Sequence, residues 1–351
     1  MARMRLLPVV VSILLLWGAA TACHGENQYS GKRWGFSQLT ATPASHIAWS
    51  PEGKYLYFTI IGNDTTYLYR IKDVWKIIKG KTLPGNIRPE KVIEVKGRVK
   101  DFSISQSRMS MAYSVPEGAE YGGLYVANLV TLETKRIAQG RGPLWSPRDD
   151  GRILYYFMGK KGLFGIALIN PDGSDMRILS ELGDQRPIWS PDGSQIAFLS
   201  SRGFSQGTTG YCNIYLMSLN PFSTKQVTHD QNSYQKSLQW APRGKKILFE
   251  SYKGVELVDT GNFARTVVVS RGDFFSSHSF EPFFSPDAQW AFFRRETGMG
   301  IIGIYTKEEV TVEGSVPWEH VTLAPDGKKV VFSVSQEGKR RGIWVVEAFD
   351  R

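Results

Sequence analysis

The sequence predicts an all-β fold: a seven-bladed β-propeller of four-stranded blades, closed by an N-terminal strand that completes the last blade. Three observations carry this expectation. First, a phrase recurs, cleanest as Trp189-Ser190-Pro191-Asp192-Gly193-Ser194-Gln195-Ile196-Ala197-Phe198. Further copies stand at Trp49-Ser50-Pro51-Glu52-Gly53, Trp145-Ser146-Pro147, Trp240-Ala241-Pro242-Arg243-Gly244, Phe284-Ser285-Pro286-Asp287 and Leu323-Ala324-Pro325-Asp326-Gly327, and a seventh is eroded to Ile104-Ser105-Gln106. Second, an aromatic closes each copy: Phe58, Tyr113, Tyr156, Phe198, Phe249, Phe293 and Phe332, seven residues after the proline position, with a two-residue insertion in the third copy. Third, the Ser/Ala positions 50, 105, 146, 190, 241, 285 and 324 are spaced 55, 41, 44, 51, 44 and 39 residues apart, which is the period of a propeller blade.

In chain order, residues 1–22 read as a secretory signal peptide. Arg3 and Arg5 precede an apolar run from Leu6 to Trp17, and the small residues Gly18 to Ala22 follow. Residues 23–35 read as a lipidated cysteine and a short tether, because Ala20-Thr21-Ala22-Cys23 looks like a bacterial lipobox whose Cys23 is acylated after cleavage. The pattern prefers Leu where Ala20 stands, so an ordinary Ala-x-Ala cleavage at the same bond is the alternative. His24 after the cysteine resembles lipoproteins sent on to the outer membrane of a Gram-negative host. The localisation expected is exported, in the periplasm or cell envelope.

Residues 36–351 make the propeller domain. Within each phrase an apolar run halts at a Pro-Asp-Gly turn and then resumes. Proline presets the turn, Asp bonds nearby amides and Gly accepts a positive φ. A third strand follows at Thr66-Tyr67-Leu68-Tyr69, Gly123-Leu124-Tyr125-Val126, Phe164-Gly165-Ile166-Ala167, Asn213-Ile214-Tyr215-Leu216, Gly254-Val255-Glu256-Leu257, Ile302-Gly303-Ile304-Tyr305 and Gly342-Ile343-Trp344-Val345. A more polar fourth strand follows in most units, for example Lys91–Val95, Thr134–Ala138, Met176–Leu179 and Thr224–Thr228. The last unit lacks one, and Phe36-Ser37-Gln38-Leu39-Thr40, similar to Lys225-Gln226-Val227-Thr228, is expected to supply it and leave no open edge. With 42% hydrophobic and 13% aromatic residues the chain can bury an ample core, and the repeated Trp and Phe are expected to pack blade against blade. Two cysteines, Cys23 and Cys212, give no disulfide framework.

The phrase resembles the PD40 (WD40-like) repeat of TolB-like propellers and of propellers attached to prolyl-oligopeptidase-type enzymes, over roughly residues 36 to 350. The resemblance implies a propeller that docks a protein or peptide of the cell envelope. It departs from TolB in that roughly 23 residues separate Cys23 from His46, too few for the α/β domain that precedes the TolB propeller. It departs from the peptidases because no residues remain for a hydrolase domain. One fold hosts many activities, so the phrase speaks for fold more than for function.

Removing the signal peptide leaves 41 basic against 33 acidic residues, a formal charge of +8. The excess gathers between residues 70 and 100, where Arg70, Lys72, Lys76, Lys79, Lys81, Arg88, Lys91, Lys96, Arg98 and Lys100 face only Asp73, Glu90 and Glu94. This segment is expected to hold an insertion on the first blade, with a short helix over Ile71 to Ile78. It would attract anionic polysaccharide, lipid headgroups or an acidic partner, or it is simply a solvated loop. Nucleic acid is disfavoured by export.

Gly203-Phe204-Ser205-Gln206-Gly207 matches the nucleophile elbow of α/β-hydrolases, but it lies in a loop between two blade strands rather than between a strand and a helix, which makes it a chance match. A second constellation is more informative. Four residues before the Ser/Ala position stand His46, Asp101, Gly142, Arg186, Ser237, Glu281 and His320, equivalent positions that form a polar ring at the channel mouth. Ring closure would make Glu281, His320, His46 and Asp101 consecutive. Two imidazoles and a carboxylate (His46, His320 and Glu281) are a common ligand set for a transition metal. Oligogalacturonate lyases, which resemble this architecture, use a metal with histidines on a seven-bladed propeller. His24, His229 and His278 fall outside the ring. Two functions are therefore expected in competition: an interaction scaffold of the cell envelope without chemistry, or a metal-dependent enzyme acting on an acidic carbohydrate.

Overall fold

The computed structural model describes residues 28–29, 32–50, 52–74, 87–105, 109–117, 120–148, 151–204, 211–230, 236–271, 281–285, 287–295, 298–313, 320–324, 329–334 and 342–350. They form seven antiparallel sheets of at least four strands, one per repeat. Blade 1 is His46–Trp49, Tyr55–Ile61, Thr65–Lys72 and Glu90–Lys96. Blade 4, built on the cleanest phrase, is Asp184–Trp189, Gln195–Ser200, Asn213–Leu219 and Phe222–Gln226. Blades 2, 3, 5 and 6 repeat the plan from innermost strands Asp101–Ile104, Arg141–Trp145, Lys236–Trp240 and Phe283–Phe284. Seven buried apolar clusters fill the seven junctions between neighbouring blades, including the one between blades 7 and 1, so the ring is closed.

Each word of the phrase has a physical task. The repeated serine is buried, and Ser50, Ser105, Ser190 and Ser285 each accept at Oγ from the amide five residues on, at 2.9–3.1 Å. This satisfies a donor at the tight turn that the ladder leaves over. Asp192 accepts from Ser190 Oγ at 2.6 Å and from the Ser194 amide and hydroxyl at 3.1 and 2.8 Å, contacts that hold its carboxyl down to about 2. Gly193 takes φ 66°, and the same place in blade 6 holds Ala288 at φ 55°.

The tryptophan and the closing aromatic both reach backwards. Trp145, Trp189 and Trp240 donate Nε1–H to the carbonyls of Ser103, Leu144 and Ile188, each on the innermost strand of the preceding blade. Phe58, Tyr113, Phe198, Phe249, Phe293 and Phe332 likewise pack into the cluster shared with the blade before. In blade 3 that role falls to Tyr155 rather than the expected Tyr156. Trp145 pairs with Ile153 where Trp189 pairs with Ile196, so the insertion is one residue. Tyr155 is 1% exposed in the junction of blades 2 and 3, while Tyr156 is half-buried on the opposite face of the strand.

The closing strand forms as expected and extends further. Lys32–Thr40 pairs antiparallel with Gly342–Asp350 from Lys32↔Asp350 to Thr40↔Ile343, and Gln28–Tyr29 adds a fifth strand to blade 7. Leu39 is fully buried in the cluster between blades 7 and 1. The helix expected over Ile71–Ile78 is corrected at its start. Ile71 and Lys72 pair with Leu56 and Tyr55 as the end of a β-strand, whose two faces send Leu68 into the junction with blade 2 and Ile71 into the junction with blade 7; residues 75–78 lie outside the described residues. Cys212 is a buried thiol between blades 4 and 5, and Cys23 with the signal segment lies outside the described residues. Among the described residues no helix is long and apolar enough to cross a membrane.

Candidate functional site at the channel mouth

Innermost strands line a propeller channel, and those of blades 7, 1, 2, 3, 4 and 5 lie side by side in that order. Six of the seven ring positions fall at their entry ends and Glu281 two residues ahead of the blade 6 strand, but the backbone divides them into two arcs. In blades 7, 1 and 2 the ladder is regular, with His320 opposite Ser333, His46 opposite Thr59 and Asp101 opposite Ser114. All three partners are buried hydroxyl residues. In blades 3, 4 and 5 the ladder shifts register just there. Gly142, Arg186, Ser237 and, in blade 6, Glu281 all take positive φ, at 61°, 50°, 53° and 44°.

On the regular arc the His46 and His320 rings meet, with centroids 3.9 Å apart at 35°. Burial, and then the neighbouring His46, push the His320 imidazole down to about 3, so it is neutral at ordinary pH. His46 Nδ1 lies 3.5 Å from Thr59 Oγ1, and Ser114 Oγ donates to Asp101 at 3.3 Å. On the bulged arc Glu281 lies 3.6 Å from Arg294 on its own blade. The Arg186 side chain is exposed and, among the described residues, makes no hydrogen bond or ion pair.

The structure thus joins His46 to His320 and places Glu281 against an arginine. Among the described residues no group of three or more His, Cys, Asp or Glu side chains could hold a metal ion. Two imidazoles fall short of the three protein ligands of a catalytic metal. The backbone division of the ring was missed by counting back from the phrase, although a signal was present. Proline directly follows Gly142, Arg186 and Glu281, whereas Ile47, Phe102 and Val321 follow the flat positions. A proline withholds a ladder donor and marks a bulge.

Away from the mouth, the basic segment is partly neutralised: Arg70 pairs with Glu90 through two hydrogen bonds at 2.8 and 2.9 Å, and Lys91 with Glu94 at 2.7 Å. Arg88 and Lys96 remain exposed at the outer strand of blade 1, Arg98 and Lys100 are exposed on its connection to the innermost strand of blade 2, and Lys76, Lys79 and Lys81 lie outside the described residues. Of the elbow-like match, Gly203 and Phe204 stand in a turn after Gln195–Ser200, and the rest lies outside the described residues.

No protein-family model matches the chain. The Tol-Pal system protein TolB of Francisella tularensis subsp. mediasiatica is 35% identical over 88 residues, which is 24% of this chain and 19% of that protein. The match therefore spans about a fifth of the length of this relative. The fold is similar to that of an oligogalacturonate lyase from Vibrio parahaemolyticus, at 14% identity and TM-score 0.63 over 89% of this chain and 93% of that one. It is also similar to an oligogalacturonate lyase in complex with manganese, at 13% identity and TM-score 0.61 over 93% and 96%. At such identities the likeness is one of fold alone.

Proposed function

We propose that this seven-bladed β-propeller, similar to TolB over 88 residues, is an exported scaffold of the cell envelope that docks a protein or peptide at its channel mouth. The observation that carries this reading is the mouth itself. Six polar side chains and a glycine stand four residues before the Ser/Ala position of each phrase, on or just ahead of the innermost strands of a closed ring, so a partner meets a rigid platform and loses little free energy to ordering it. In this reading the signal segment directs export and acylated Cys23 tethers the domain to a membrane, the outer one in a Gram-negative host. The exposed lysines and arginines of residues 70–100 face anionic headgroups or polysaccharide. The decisive experiment is photo-cross-linking in cells, with benzoylphenylalanine in place of Ser237 at the mouth or of Lys225 on an outer strand. A discrete adduct from the mouth position alone supports the reading, and none from the mouth overturns it. Cys23→Ala in the same cells should abolish incorporation of labelled palmitate if the cysteine is acylated, and leave nothing to abolish if cleavage is of the plain kind.

A second reading, a metal-dependent enzyme acting on an acidic carbohydrate, is favoured by one observation: the His46–His320 contact places two imidazoles together, with His320 neutral and able to ligate. It requires near one equivalent of a transition metal by elemental mass spectrometry, lost in the His46→Ala/His320→Ala double variant. Metal-free protein in both cases sinks it.

A further inference from the structure

The bulged arc holds a side chain that nothing in the fold requires. Arg186 carries a full side chain at φ 50°, a region where an L-residue is strained and glycine is not. Gly142, at the same place in the preceding blade, shows that the bulge itself is met by glycine. The arginine is not there to balance an internal charge either. Arg202, Arg265, Arg271 and Arg294 each hold a carboxylate, of Asp184, Asp230 with Glu256, Glu250 and Glu281 respectively. Arg186 holds none among the described residues. On the blades beside it the equivalent residues are Gly142 and Ser237, too small to cover it and without charge. The two acids of the ring, Asp101 and Glu281, stand two blades away on either side, and each is already engaged, with Ser114 and Arg294.

We propose that Arg186 is the anchor of the docking surface and grips a single carboxylate of an acidic peptide segment supplied by the partner, an inference that rests on the docking reading above. A guanidinium fork matches a carboxylate through two parallel hydrogen bonds, and a bulge re-aims a side chain away from the ladder. The spacing of charge selects the peptide. A ligand with one carboxylate flanked by neutral groups fills the gap at Arg186, whereas a chain charged on every unit would lie over Asp101 and Glu281 and be repelled.

The test selects a phage-displayed random nonapeptide library on the mature chain and measures the enriched peptides against wild type, Arg186→Gly and Arg186→Lys. The expected peptides carry one Asp, Glu or C-terminal carboxylate. Their affinity falls at least tenfold on Arg186→Gly, and equally when that acid is made an amide, with Arg186→Lys in between. The Arg186→Gly denaturation midpoint should rise, since backbone strain is removed; a structural arginine would make it fall. Selection of no peptides, of peptides without an acid, or of peptides that bind Arg186→Gly as tightly as wild type overturns the proposal, as does Arg186-dependent binding of tetragalacturonate without any peptide binding. The Ser237 cross-link reports separately: a mouth adduct that persists in Arg186→Gly leaves the docking reading intact while this inference fails.

Discussion

At the scale of single residues, the backbone and the solvent decide what a side chain may do. His320 is kept neutral by burial and by His46, with its proton affinity lowered from 6.5 to about 3. In the unfolded chain the same imidazole protonates at its ordinary value, so the unfolded state binds more protons as pH falls. The stability that neutral His320 allows is complete above about pH 6.5 and is lost as pH drops toward 3, at roughly 1.4 kcal/mol per pH unit. Urea melts at pH 6.5 and 5 should therefore show wild type losing roughly 2 kcal/mol more than His320→Asn; equal losses would contradict it. Ala288 offers the complementary case. It occupies, at φ 55°, the turn position that Gly193 fills in blade 4, and its amide bonds Ser285 at 2.9 Å as Gly193 bonds Ser190 at 2.8 Å. Ala288→Gly should raise stability by about 0.5–1 kcal/mol, relief of the left-handed strain exceeding the greater freedom of glycine in the unfolded chain. Calorimetry checks the sign.

At the scale of the element, the phrase is a docking device that ties each blade to the one before it. Phe198→Ala opens the junction of blades 3 and 4 and should cost about 3–5 kcal/mol. Trp189→Phe keeps the packing but removes the bond to the Leu144 carbonyl, and should cost about 1 kcal/mol. Denaturation of the two variants side by side would separate packing from hydrogen bonding, and a tryptophan change as costly as the phenylalanine one would refute the division of labour. These elements were legible in the sequence because their causes are local: a Pro-Asp-Gly turn and a two-residue alternation need no knowledge of neighbours. Tyr156 was misread for Tyr155 because counting residues cannot show which face of a strand an insertion shifts to the core. The ring at the mouth was legible as a list of residues, but its division into flat and bulged arcs was not. That division depends on how the innermost strand pairs, and only Pro143, Pro187 and Pro282 hint at it.

At the scale of the whole molecule, closure is the shared property. The expected N-terminal strand was legible from the missing partner of the last blade and the likeness of Phe36–Thr40 to a fourth strand. The added pair Gln28–Tyr29 has no such signature. Leu39→Ala should cost about 2–5 kcal/mol because its side chain fills the junction of blades 7 and 1. Ser37→Pro, which cannot donate to the Val345 partner strand, should leave Gly342–Asp350 as a bare edge and promote aggregation on heating. Light scattering during a thermal ramp measures the second effect, and an unchanged trace would show that the seam is dispensable.

That seam also sets a clock. Gln38 pairs with Trp344, so a strand that precedes all seven phrases must wait for one that follows them, and six blades can stack while the seventh still lacks its outer strand. Because Lys32 and Asp350 lie opposite each other at one end of the ladder, a pull that separates these two residues parts the strands pair by pair instead of loading every bond at once. The joint that closes the ring is thus the one that yields first under tension.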